Sequence, residues 1–140
     1  MSTGAIFIDT SGWGNLIDRN QPYHSRASFI YRSVREKQNR IVTTNYVLLE
    51  LVALLISPLR MPHQTMVNFI DNIRRSPFIE IVQIDAAIEA RGWQLLKQHN
   101  DKTWSLVDCV SFIVMDARKI VQALTGDHHF EQARFTALLR

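Results

Sequence analysis

Carboxylates at four places along this chain have the type and setting for metal-ion chemistry. Asp9 closes the apolar run AIFI, Glu50 sits inside the hydrophobic segment YVLLELVALLI, Asp108 follows Ser105 by three residues, and Asp127 follows the turn Thr125-Gly126. Each also has an ordinary structural reading. Asp9 and Asp127 can cap helices, Asp108 can be a favourable charge in a helix's first turn, and Glu50 can face solvent on a partly apolar helix. Glu50 is the hardest to dismiss. Surrounded in sequence by Leu48, Leu49, Leu51, Val52, Leu54 and Leu55, it has little polar face to share and calls for an ionic partner, a metal or a raised pKa. Brought together, the four acids would repel one another and retain protons unless a divalent cation reversed that sign. Oxygen donors with retained waters favour Mg2+, with Mn2+ next, over Zn2+.

The histidine pair in ALTGDHHF is the visible rival. Adjacent residues on a helix point about 100 degrees apart, so His128 and His129 are not expected to grip one ion. No His-Glu-x-x-His segment occurs, and His24, His63 and His99 fall in no ligand spacing. The pair is left a peripheral place, shaping the rim or touching a substrate phosphate. The single Cys109 excludes an intrachain disulfide and fits a reducing compartment.

The elements that must position these residues follow from periodicity. Residues 5–8, 41–44, 78–84 and 119–124 read as strands, and 135–139 as a short strand at a sheet edge. Helical patterns lie between them. A short helix over 13–17 is entered through Gly12 and Gly14, and a longer one over 22–37 has Pro22 in its first turn. The segment YVLLELVALLI is capped by Asn45 and closed by Ser57-Pro58, and an amphipathic helix covers 64–75. Asp85 caps a helix over 86–98, Ser105 one over 106–117, and Asp127 opens a brief helical turn. Apolar strands separated by helices require right-handed crossovers and a sheet covered on both faces. The fold class is therefore α/β, a three-layer α/β/α sandwich around a mainly parallel sheet of four to five strands. Ligands in such folds gather outside the carboxyl ends of the strands near a switch in strand order, which is where Asp9 and Asp127 would fall.

At 140 residues the chain reads as one domain over 1–140, able to bury about two thirds of its unfolded surface. Its formal charge is +3, and 12 of the 16 basic residues are arginine, whose planar fork matches phosphate. That permits a nucleic-acid surface without requiring one. The start MSTGAIFIDTSGW has neither a basic opening nor a long apolar stretch, and no later run is long enough to span a bilayer. A soluble cytoplasmic protein without a membrane partner is expected.

The segments FIDTSGW, TNYVLLEL, WSLVDCVSFIVM and LTGDHHF, in that order, resemble the PIN-domain ribonucleases, and specifically the small VapC-type toxins of toxin–antitoxin pairs. The resemblance spans nearly the whole chain and rests on joint order: Thr44-Asn45 ahead of Glu50, Ser105 before Asp108, Thr125 before Asp127. It implies a PIN fold with Asp9, Glu50, Asp108 and Asp127 around one or two Mg2+ or Mn2+ ions, and cleavage of single-stranded or looped RNA. It also implies a homodimer and a small antitoxin whose C-terminal segment reaches the active site. Asp9 and Asp108 would be direct ligands, Glu50 a ligand or the residue orienting the attacking water, and Asp127 the closing wall. Thr10, Ser105 and Thr125 would be hydroxyls supporting the ligands or touching substrate, with Asp101 at the rim.

Arg19, Arg26, Arg60 and Arg118 are candidates for holding an RNA backbone. Trp13 reads as packing rather than base stacking, Trp104 as a wedge for the last helical hairpin, and Trp93 as core or partner surface. One departure stands near the end. Where many relatives carry a glycine–phenylalanine pair before the last strand, this chain has Ala133-Arg134-Phe135. The alternatives are a catalytically inactive PIN-like module that binds RNA or protein, and a phosphohydrolase with Asp9 as nucleophile. The second lacks a well-placed lysine and second aspartate.

Overall fold

The structure, a computed structural model, describes residues 4–140. Strands β1 (Ile6–Ile8), β2 (Ile41–Thr44), β3 (Ile79–Val82), β4 (Gln122–Leu124) and β5 (Thr136–Ala137) form one sheet in the order β3-β2-β1-β4-β5. Every pairing is parallel. Among the described residues the helices are α1 (Thr10–Ile17), α2 (His24–Glu36), α3 (Asn45–Ile56), α4 (His63–Arg75), α5 (Ala86–Gln98), α6 (Leu106–Arg118) and α7 (His128–Gln132). The central strands are buried at every position, as a parallel sheet covered on both faces demands. Phe7 of β1 lies opposite Val42 on one side and Ala123 on the other, with Leu51, Leu55, Phe112, Met115 and Phe130 packed in the same core.

The chain builds β1, β2 and β3 outward on one side and then returns to place β4 beside β1. Strand order therefore switches between β1 and β4, which opens a crevice at their carboxyl ends. Asp9 follows the last residue of β1, and Thr125 follows the last residue of β4.

Several element edges differ from the sequence reading. Helix α1 begins at Thr10 with Asp9 as its cap, so Gly12 lies within its first turn. Gly12 is needed for close approach: a Cβ there would stand 1.9 Å from the carbonyl oxygen of Leu124. Helix α2 starts at His24 behind Tyr23, not at Pro22. Thr44, not Asn45, caps α3 by accepting from the Val47 amide, while the Asn45 side chain accepts from the Ile84 amide at 2.8 Å. Strand β4 starts at Gln122 because Lys119 adopts a left-handed conformation (φ 57°) that ends α6. No described helix is long and apolar enough to cross a membrane.

Candidate active site

A cleft of about 430 Å³ opens at the carboxyl edge of the sheet, lined by Asp9, Thr10, Ser11, Glu50, Ala53, Leu54, Ser57, Val107, Asp108, Ser111 and Asp127. All four candidate carboxylates share it, and no lysine or arginine is among the described residues that line it. They arrive on four elements: the β1–α1 junction, the middle of α3, the first turn of α6, and the cap of α7.

Asp9 is buried, and its oxygens are fixed from three directions. Oδ1 accepts from the Gly12 amide at 2.8 Å and from Ser11 Oγ at 3.0 Å, and Oδ2 accepts from Thr125 Oγ1 at 2.7 Å. That last bond ties the end of β1 to the end of β4. Burial pushes the Asp9 carboxyl up to about 7, against the lowering effect of its Thr125, Gly12 and Ser11 bonds, and the Asp127 charge pushes the same way as burial.

Asp108 is the third residue of α6 and closes a capping box: Ser105 Oγ accepts from the Asp108 amide, and Asp108 Oδ2 accepts from the Ser105 amide, both at 3.0 Å. The same Oδ2 accepts from His129 Nδ1 at 2.9 Å. Burial raises the Asp108 pKa ahead of these compensating bonds, and the neighbouring Asp127 charge adds to the rise. Asp127 caps α7, its Oδ1 accepting from the His129 amide at 2.9 Å, while its own amide donates to Thr125 Oγ1 at 2.9 Å. The α7 anchor is Phe130, fully buried and edge-on to Phe112 at 5.0 Å.

Glu50 is exposed at the cleft mouth, where its Oε1 accepts from Thr10 Oγ1. Its leucine neighbours in sequence had implied a buried acid in need of an ionic partner; the helix instead turns Glu50 outward with Leu49 and Ala53. Thr10, Ser105 and Thr125 thus each touch one of the four carboxylates.

Capping and ligation do not compete here, because a carboxylate has more lone pairs than a cap consumes. Among the described residues, Asp108 Oδ1, Asp127 Oδ2 and Glu50 Oε2 accept no hydrogen bond from the protein, and Asp9 Oδ2 accepts only one. Oxygens with unused lone pairs on one cleft wall, two of them on carboxyls whose proton affinity is raised by burial and crowding, are the donor type a hard divalent cation takes, although the ligand atoms that lie within 4.8 Å of one another belong to Asp127, His128 and His129.

The PIN domain family model matches residues 6–136. The chain belongs to the PIN-domain family. Its relatives include the 23S rRNA-specific endonuclease VapC20 of two Mycobacterium tuberculosis strains, each 32% identical over 93% of this chain and 95% of the relative. The crystal structure of Mycobacterium tuberculosis VapC20, described as a sarcin-ricin loop cleaving toxin, superposes with a TM-score of 0.84 over 94% of this chain and 96% of that one. FitAcB from Neisseria gonorrhoeae, 18% identical, shares the PIN fold at a TM-score of 0.64 over 94% of each chain.

Other sequence candidates lie apart from this PIN-domain cleft. Arg118 pairs with Glu80 at 2.6 Å at the far end of α6, and Arg19, Arg26 and Arg60 are exposed without lining the cleft. Asp101 is exposed and bonded to Lys102. Trp13 is packing, buried with Nε1 donating to Thr43 Oγ1. Trp93 is half exposed, and Trp104 Nε1 donates to Gln132 Oε1 at 2.9 Å, joining α7 to the preceding loop. The histidines depart from the expected divergence. Their ring centroids lie 4.6 Å apart, and one donor atom from each of Asp127, His128 and His129 falls within 4.8 Å of the others, because both imidazoles turn back toward the capping Asp127. Sequence reasoning had no role for Ser11 or Thr103, which reach the site through bonds to Asp9 and His129.

Proposed function

We propose that this chain is a divalent-metal-dependent endoribonuclease that hydrolyses phosphodiester bonds in looped or single-stranded RNA, as the toxin of a toxin–antitoxin pair. The observation that carries this reading is the convergence of Asp9, Glu50, Asp108 and Asp127 on one cleft, with unused oxygens and no lysine or arginine among the described lining residues. The 32% identity to relatives named as 23S rRNA endonucleases supports RNA as substrate and a structured ribosomal loop as the first one to try.

Bound by Asp9, Asp108 and Asp127, Mg2+ or Mn2+ would supply Lewis acidity at the scissile phosphoryl group. Asp9 is held immobile by Ser11, Gly12 and Thr125, so its ligand atoms need no reorganisation. Glu50, exposed at the mouth and bonded to Thr10, would orient the attacking water and take its proton. Ala53, Leu54 and Val107 add an apolar portion to the cleft wall beside the carboxylates. Phosphate-holding cations come from outside the cleft lining.

The reading extends to a cytoplasmic homodimer restrained by a small antitoxin, for which co-purification with an adjacent small gene product and sedimentation are the checks. Incubating the purified chain with 23S rRNA fragments should give cleavage with Mg2+ and none in EDTA. RNA binding with no cleavage under any divalent ion would replace the enzyme by an inert binding module.

A further inference from the structure

Resting on that reading of the cleft, we infer that His129 is a positioning residue: it aims the Asp108 carboxylate for cation binding, and Thr103 of the α5–α6 loop sets its tautomer. His129 is the second residue of α7, and its side chain is 16% exposed. Nδ1 lies 2.9 Å from Asp108 Oδ2, and Nε2 lies 3.1 Å from Thr103 Oγ1. An ionised carboxylate only accepts, so the bond to Asp108 places the imidazole proton on Nδ1. Nε2 is then an acceptor, and the Thr103 hydroxyl is the donor that matches it.

Together with the Ser105 amide, His129 gives Asp108 Oδ2 two donors and fixes the carboxylate plane. Oδ1, which has no protein donor among the described residues, is the atom left for a ligand. The same Nδ1 stands 3.3 Å from Asp127 Oδ1, so one ring spaces two acids that would otherwise repel. Residues 103 and 104 clasp α7 through paired bonds, Thr103 to His129 and Trp104 to Gln132, which ties the loop's position to the carboxylate's. Removing such supporting partners of metal ligands typically weakens metal binding or activity by about 10–100-fold.

The test compares two amides. His129→Asn keeps an N–H near the place of Nδ1, whereas His129→Gln carries it out to the place of Nε2. Calorimetric titration of the full chain with Mn2+ should show binding weakened about tenfold or more in His129→Gln and by less than about threefold in His129→Asn, with RNA cleavage following the same order. Nitrogen-15 spectra of the metal-free wild type should show the proton on Nδ1, and Thr103→Val should shift that tautomer balance. A purely structural histidine would make the two amides lose affinity equally, and that result, or unchanged Mn2+ affinity in His129→Gln, overturns the inference. A wild type that neither binds Mn2+ nor cleaves RNA overturns the underlying site reading as well. Wild-type binding and cleavage with an unaffected His129→Gln overturns the role of His129 alone.

Discussion

Asp9 is both a helix cap and a cleft carboxylate, and the two duties pull its proton affinity in opposite directions. Burial outweighs its three hydrogen bonds, so the folded carboxyl titrates near 7 against 3.8 in its ordinary state. Between those values the metal-free folded chain binds a proton that the unfolded chain releases. The stability from this group is therefore complete below about pH 4 and is lost as pH rises through about 7, with a slope of at most about 1.4 kcal/mol per pH unit. The raised Asp108 pKa acts in the same direction. Asp9→Asn should flatten this dependence and raise the melting temperature of the metal-free protein at pH 8; melts from pH 4 to 8 that run parallel for variant and wild type would contradict it. The four acids were legible because each stood at a strand end, a cap or an apolar helix. Ser11 and His129 were not: besides its bond to the nearby Asp9, Ser11 accepts from the Gly126 amide 115 residues on, and His129 reaches Asp108 21 residues back, and no local pattern records those two distant contacts.

At the scale of elements, the cleft depends on how closely α1 approaches β4. Gly12→Ala would drive a methyl against the Leu124 carbonyl, so it should lose about 3 kcal/mol or more in urea denaturation, and cleavage should fall with the Asp9–Thr125 contact. Arg134 makes the opposite case. It adopts φ 73°, a left-handed conformation natural to glycine. Arg134→Gly should therefore stabilise the chain by about 0.5–1 kcal/mol, read by the same denaturation; a loss of stability would contradict that. Strand edges were blurred in the sequence for a related reason. Apolar pattern runs beyond the paired residues, as at exposed Phe78 before β3 and at Ile120 and Val121 before β4, whereas pairing and backbone hand, such as the left-handed Lys119, decide where a strand begins. Thr44 and Asn45 are both good caps, and only the distant Ile84 amide settles which one is used as such.

At the scale of the molecule, alternation of strands and helices made the layered parallel sheet legible, and with it the edge where the acids gather. The strand order did not follow from alternation, because placing β4 beside β1 depends on packing across the whole chain. The arginine count was equally mute about the cleft: Arg118 serves an ion pair with Glu80, and no lysine or arginine is among the described residues that line the cleft. On the proposed reading a divalent cation supplies the counter-charge, so Mg2+ or Mn2+ should raise the melting temperature of the wild type more than that of Asp9→Asn, by scanning calorimetry with and without EDTA. Equal shifts would place the ion elsewhere. The most direct measurement of the central claim is the single-turnover rate at which the chain cleaves a 23S rRNA loop in saturating Mg2+, for wild type and for Asp108→Asn of matched folded content. The expected result is Mg2+-dependent cleavage by the wild type and a loss of at least about a hundredfold in the variant; cleavage by Asp108→Asn at the wild-type rate would contradict the assignment of these carboxylates.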